Sequence, residues 1–236
     1  MVLGSNLRGV SPVESGDRMA TNSVDQQKSP LLALSRALPG HVAPYYLFRD
    51  IDNGEAERFC ATLWAAANSL GQVPGSRIAV LINSGGGAVG AGFAMIEMMY
   101  KIKRELGVPV DTIILGYAYS MGAVLFQAGD HRSMGYFSTM MLHSASWQVS
   151  GRDSTVFTDL KKLSDLYQRI TAELFYRRTG FRSKDWWRRF IYSDKERYLS
   201  PQECLKLGLV DEVCQFFDEC YTQPRAEPET AATIAG

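Results

Sequence analysis

Histidine is scarce in this chain: its 236 residues include three, His41, His131 and His143. Any chemistry that depends on an imidazole therefore has few candidates. The four cysteines, Cys60, Cys204, Cys214 and Cys220, show no C-x-x-C spacing, which argues against a zinc site. Cys214 and Cys220 could pair, but free thiols in a reducing compartment are the plainer expectation. Charge of one sign is not in excess, with Lys+Arg at 25 and Asp+Glu at 25. That balance gives no support to nucleic acid or an anionic membrane as partner. No apolar run is long enough to cross a bilayer, and residues 1–20 lack the apolar core of a secretory signal. The expectation is a cytoplasmic protein with no metal and no cofactor.

What is present is a well-stocked apolar inventory. Hydrophobic residues make up 46%, enough for one cored domain at this length. Residues 1–29 are polar and aperiodic and read as a mobile extension. Pro30–Leu38 reads as a short helix or an ordered segment. The expected division is an N-terminal extension over 1–44, a folded domain over 45–221 and a disordered tail over 222–236.

The chain is organised around Gly116-Tyr117-Ala118-Tyr119-Ser120-Met121-Gly122-Ala123. Before it, Asp111–Leu115 reads as a buried strand; after it, Met121–Ala128 reads as a helix of small and apolar residues. Ser120 thus falls where a strand turns into a helix, beside helical N–H groups that have no intrahelical partner. Packing of a small residue between strand and helix would use the same residues without any chemistry.

Upstream, Tyr45–Phe48 reads as a strand, Glu55–Leu70 as an amphipathic helix and Arg77–Ile82 as a fully buried strand. Asn83-Ser84-Gly85-Gly86-Gly87 follows, then a helix over Val89–Glu105. Strand and helix alternating at this pace predict right-handed βαβ units on a largely parallel sheet, whose sites form at the carboxyl ends of strands. The triple glycine and Ser120 both sit at such ends and should be neighbours. The glycines are not a P-loop, because no Lys-Ser or Lys-Thr follows them.

Downstream, Phe137–Leu142 reads as a buried strand with His143 at its end. A long helix starts at Ser154. Its Val156, Leu160, Leu163, Tyr167, Ile170 and Leu174 fall at alternating steps of four and three, a narrow seam suited to pairing with another subunit. Ser183–Ile191 reads as a short basic helix. Ser200-Pro201-Gln202-Glu203 is a capping box that opens a last helix, and Leu209–Val213 reads as a final short strand.

These pieces suit an activated hydroxyl. Ser120 could serve as nucleophile and His143 as its base. The N–H of Met121, and one from the glycine loop, most plausibly Gly87, could face a developing oxyanion. A carboxylate to orient the imidazole could come from Asp194 or Glu196. Both could equally be exposed charges alternating with Lys195 and Arg197.

Taken in order, Ile82–Gly87, Gly90-Ala91-Gly92, Ser120–Ala123, Leu142-His143, Arg197–Ser200 and Gly208–Asp211 resemble the proteolytic subunit of Clp protease (ClpP). The resemblance runs from about Tyr45 to Val213. It implies an α/β fold of the ClpP/crotonase type, stacked βαβ units with a long protruding handle helix, and a serine peptidase. Ser120 would be the nucleophile and His143 the base, with Gly87 and Met121 as oxyanion donors. It implies a homo-oligomer of stacked heptameric rings, fed with unfolded polypeptide by an AAA+ ATPase. Departures are visible. Gly85 stands where the family has Pro. Glu196 fills the family's catalytic Asp position, with Asp194 two residues earlier as the other candidate acid. Ser144-Ala145-Ser146-Trp147 replaces a Gln-Pro and Gly-rich stretch. Ala79 and Leu81 stand where tyrosines line the ATPase docking cleft. The alternatives are a phage- or plasmid-type ClpP-like protease working without an ATPase, and a non-catalytic structural ring subunit. An acyl-CoA enzyme on the related crotonase fold is less favoured, because that chemistry calls for no Ser-His pair at these strand ends.

Overall fold

Strand β2 (Arg77–Ser84) is the centre of the molecule, with six of its first seven residues apolar or aliphatic-stemmed and six of its eight positions buried. A strand buried on both faces must be covered on both and paired on both edges. It pairs in parallel with β1 (Val42–Leu47) and with β3 (Val110–Tyr119). The sheet continues through β4 (Arg132–Gly135) to β7 (Glu212–Cys214), in the order β1-β2-β3-β4-β7. The computed structural model describes residues 42–71, 73–144, 154–193 and 195–215. Of the expected extension over 1–44, residues 1–41 lie outside the described residues and Val42–Pro44 belong to β1; the tail beyond residue 215, Asp194 and the segment 145–153 also lie outside them.

Helix α1 (Asn53–Leu70) follows β1, capped by the Asp52 side chain accepting from the Glu55 N–H at 2.7 Å. It turns Phe59, Leu63 and Ala67 onto the sheet, all within 1% of full burial. Each such Leu or Phe contributes about 1.5–3 kcal/mol relative to exposure. Helix α2 (Val89–Leu106) buries Met95, Met99 and Ile102 beside it and ends on Gly107, whose φ of 67° completes a left-handed cap. These two βαβ units are the ones expected from the sequence, and the strand and helix bounds differ by a few residues at most.

The larger difference is in β3. Its expected end was Leu115; the strand runs on to Tyr119. Between Ile82↔Ile114 and Ser84↔Ala118, two steps along β2 match four along β3. Gly116 at φ 92° absorbs the extra length, and the Asn83 Oδ1 accepts the Tyr117 N–H at 3.3 Å. The kink re-aims β3. Its first half pairs with β4, and its second half with β5 (Thr139–Leu142). Strand β6 (Arg197–Leu199) then joins β5 antiparallel, the one antiparallel ladder among the described strands.

Helix α3 (Met121–Phe126) is buried along its whole length. The long helix α4 (Ser154–Thr179) is clamped to it through Arg178, whose guanidinium donates to Gln127 O at 3.0 Å and also reaches Gly129 O. Ala172 and Phe175 of α4 enter the core, whereas Leu166 and Ile170 are 43% exposed. The seam read from the sequence is therefore split. Tyr167 contacts Phe93 on α2 with ring centroids 5.5 Å apart, and Leu174 packs on the core, while Ile170 faces outward. Helix α5 (Lys184–Ile191) packs Trp187 against Phe175, and α6 (Pro201–Lys206) opens on the expected capping box. Arg132 grips Asp211 through two side-chain bonds, of 2.5 and 3.1 Å, and ties β4 to the segment before β7. One cysteine expectation needs correction: Cys214 is disulfide-bonded, while Cys60 and Cys204 are free. Among the described residues no helix is long and apolar enough to cross a membrane.

Candidate active site

Ser120 is one of two described non-glycine residues at positive φ, the other being Arg182, and it stands at φ 52°, ψ −123°. That region is costly for a side chain by about 1–3 kcal/mol and persists only where surroundings enforce it. Here they do. The Ser120 N–H donates to Met141 O at 2.9 Å, and the Ser120 carbonyl accepts from Ala123 N at 3.1 Å and Val124 N at 3.2 Å. The hydroxyl makes no capping bond to α3 although it stands at the N-cap position. It is left free for other work.

The glycine loop packs directly beneath this turn, as expected from the strand ends. A Cβ on Gly86 would lie 2.8 Å from both Met121 N and Ser120 Cβ. One on Gly87, at φ 140°, would lie 2.2 Å from Ile51 O. The loop is pinned by Ile51 N donating to Gly86 O at 2.6 Å and Ala88 N donating to Ile51 O at 2.8 Å. That pairing uses neither the Gly87 N–H nor the Met121 N–H, the two expected oxyanion donors. Only glycine allows such close approach here.

Ser120 and His143 line one pocket, together with Met121, Val124, Leu142 and Ile191 on its apolar side. Helix α4 contributes Ser164, Tyr167 and Thr171, and Tyr192 closes the far end. Burial raises the Tyr192 phenol above its ordinary pKa. Among the described residues no carboxylate, lysine or arginine lines this pocket. Ser120 and His143 are not hydrogen-bonded to each other here, a common state of catalytic pairs without substrate.

The two candidate acids fare differently. Asp194 lies outside the described residues. Glu196 is exposed and sits in a second cleft with Phe190, Lys195 and Lys206. Its carboxylate accepts a 2.8 Å hydrogen bond from the Tyr198 hydroxyl. That carboxylate holds the Tyr198 phenol above its ordinary pKa. Strand register brings Glu196 back towards the site. Met140↔Leu199, Met141↔Tyr198 and Leu142↔Arg197 are partners, so the ladder ends one residue short of His143 on β5 and of Glu196 on β6.

Sequence reasoning missed Tyr198 and the α4 wall of the pocket. Tyr198 was visible only as part of a short Arg-Tyr-Leu run, and its partner is set by a three-residue strand. The α4 residues Ser164 and Thr171 carry no motif, and only the period of Tyr167 hinted at an inward face.

The Clp protease family model matches residues 44–216. The chain is also similar to the ATP-dependent Clp protease proteolytic subunit of Deinococcus radiodurans, 34% identical over 146 residues that cover 60% of this chain and 67% of that one. The parallel sheet with its βαβ units, the kinked β3 and the matched span agree, and the chain belongs to the Clp protease family, with its ClpP/crotonase-like α/β fold.

Proposed function

We propose that this chain is a serine endopeptidase of the Clp type. The observation that carries the proposal is the enforced left-handed backbone of Ser120, which presents an uncapped hydroxyl to the pocket it shares with His143. In this reading His143 takes the Ser120 proton as Oγ attacks the scissile carbonyl carbon. The tetrahedral oxyanion is met by the N–H groups of Gly87 and Met121. Collapse breaks the C–N bond, His143 returns the proton to the leaving amine, and an acyl ester remains on Ser120. Water, deprotonated by His143, then releases the second product. Glu196, or Asp194, would orient the imidazole. The pocket, apolar at its near end and uncharged among its described lining residues, suits an uncharged side chain next to the cleaved bond.

The proposal extends to assembly. The outward residues Leu166 and Ile170 on α4 would meet a second ring, giving stacked heptamers that enclose the sites in the cytoplasm. An AAA+ ATPase would deliver unfolded polypeptide. One observation favours a version without an ATPase. Ala79, Leu81 and Ile113 form a small apolar cluster with no exposed surface, where the family resemblance leads one to expect tyrosines in an open docking cleft.

The test is hydrolysis of an unfolded polypeptide by the wild type, Ser120→Ala and His143→Ala. Both variants should lose at least about 10³-fold in rate. Retention of hydrolysis by Ser120→Ala would overturn the reading.

A further inference from the structure

The antiparallel ladder of β5 and β6 ends at Leu142↔Arg197, immediately before His143 on one strand and immediately after Glu196 on the other. Among the described residues the two form no ion pair, and the Glu196 carboxylate is engaged by Tyr198 instead. The reason lies two residues along β6. Side chains at i and i+2 of a strand share a face, so Tyr198 stands on the same face as Glu196. Its hydroxyl reaches back and donates to Glu196 Oε2 at 2.8 Å. The Tyr198 ring is itself held, edge-on to Tyr119 with centroids 5.8 Å apart, and Tyr119 is tied to Thr139 through a 2.9 Å hydroxyl contact. Glu196 is thus not a loose surface carboxylate. It is fastened to a braced phenol.

We infer that Tyr198 is a positioning residue, a latch that holds the Glu196 carboxylate away from His143 and leaves the imidazole without its orienting partner. The inference rests on the reading of Ser120, His143 and Glu196 as one catalytic group. Tyr198 is 58% exposed, so the latch lies at the surface, where a contact with another chain can displace the ring. Release would swing the carboxylate one strand across, onto the imidazole. Substrate turnover would then report two states of one acid rather than a fixed triad.

Other ionisable groups surround the pair and must be counted. Lys195, Glu203 and Lys206 share the outer cleft with Glu196. The Arg197 guanidinium is turned away, donating to Phe190 O at 2.6 Å. Tyr119 touches the latch, and Tyr167 and Tyr192 line the pocket with His143. None of these changes in Tyr198→Phe, which removes one hydroxyl and keeps the ring contact.

The experiment is an NMR titration of the histidines in the full chain labelled at His Cε1, where three histidines give three assignable signals. An anion brought within reach of an imidazole favours its charged form. Tyr198→Phe should therefore raise the His143 pKa by about 1 unit or more, and adding Glu196→Gln should abolish the rise. Tyr119→Phe, which breaks only the Thr139 contact, should leave His143 within about 0.3 unit of wild type on the same scale. A second measurement needs no change at Tyr198: in Glu196→Gln the Tyr198 phenol should titrate at lower pH than in wild type, since the anion that raises it is gone. An unchanged or lowered His143 pKa in Tyr198→Phe, or an unchanged Tyr198 titration in Glu196→Gln, would overturn the latch. The titrations require no turnover. A failed latch and a failed peptidase reading are therefore separately visible, the second in the hydrolysis assay.

Discussion

The two halves of the candidate site are held in opposite ways. On the Ser120 side the fixing is done by backbone: a left-handed Ser120, a bulge at Gly116, and glycines whose added Cβ would collide with main-chain atoms at 2.2–2.8 Å. On the Glu196 side the fixing is done by side chains, one phenol on a three-residue edge strand. Backbone geometry enforced by close packing is rigid, because interiors tolerate little adjustment. A side-chain hydrogen bond at the surface is worth roughly 1 kcal/mol and can be exchanged for another. If Ser120 is the nucleophile and Gly87 and Met121 are its oxyanion donors, that half is prepared in the isolated chain, while the proposed acid is adjustable.

The largest effect should come from breaking the rigid half. Gly87→Ala places a Cβ against Ile51 O at 2.2 Å and displaces a proposed oxyanion donor. Removing such a donor costs about 10²–10³ in kcat, and the clash should lower the melting temperature as well. Rate and thermal unfolding measured together check both. An alanine variant of normal rate would mean that Gly87 is not at the oxyanion.

The adjustable half is sharpened by comparing Glu196→Gln with Asp194→Asn. Loss of the orienting acid should lower kcat by at least about 10-fold, and we expect that loss from Glu196→Gln with little change from Asp194→Asn. The reverse pattern in steady-state kinetics would assign the acid to Asp194. A step smaller is the wall that α4 supplies. Ile170→Glu on the outward face of α4 should dissolve a large oligomer, read by sedimentation velocity, with the fold retained by circular dichroism. Unchanged size would show that the seam faces only its own chain.

The smallest effect concerns the brace behind β4. Burial pushes the Asp211 carboxyl up, but its bonds to Arg132 outweigh this and hold the pKa below the ordinary 3.8. A folded-state pKa below the unfolded one adds stability that is fully present above about pH 4. That stability is lost as the pH falls through the folded value. Asp211→Asn should therefore lower stability at neutral pH and flatten its acid dependence, measured by denaturant unfolding between pH 7 and pH 2.5. An unaltered slope would show that the Arg132 pairing has no linkage to folding.

Much of the rigid half was legible in the sequence, for a physical reason. Apolar strands such as Arg77–Ser84, glycines at strand ends and the Ser200 capping box are local patterns with local causes. The meeting of Gly86 with Ser120 followed from strand ends of a parallel sheet. What stayed hidden was set by long-range pairing. Strand β4 carries Arg132 and Ser133 where an apolar run would have signalled it, since its burial depends on Asp211, 79 residues away. The extension of β3 to Tyr119 passes through a glycine that reads as a turn. The pairing of β6 with β5, which ends beside Glu196 and His143, is a matter of register that no periodicity encodes. The disulfide at Cys214 has no local signature in the sequence, because cysteine composition speaks only to compartment.

The central claim is that Ser120 is an activated nucleophile. It is tested most directly by intact-mass analysis after treatment with a fluorophosphonate, comparing wild type with Ser120→Ala. The account predicts a single adduct on wild type that is absent from the variant. No adduct on folded, assembled protein, or an adduct that persists in Ser120→Ala, would contradict it.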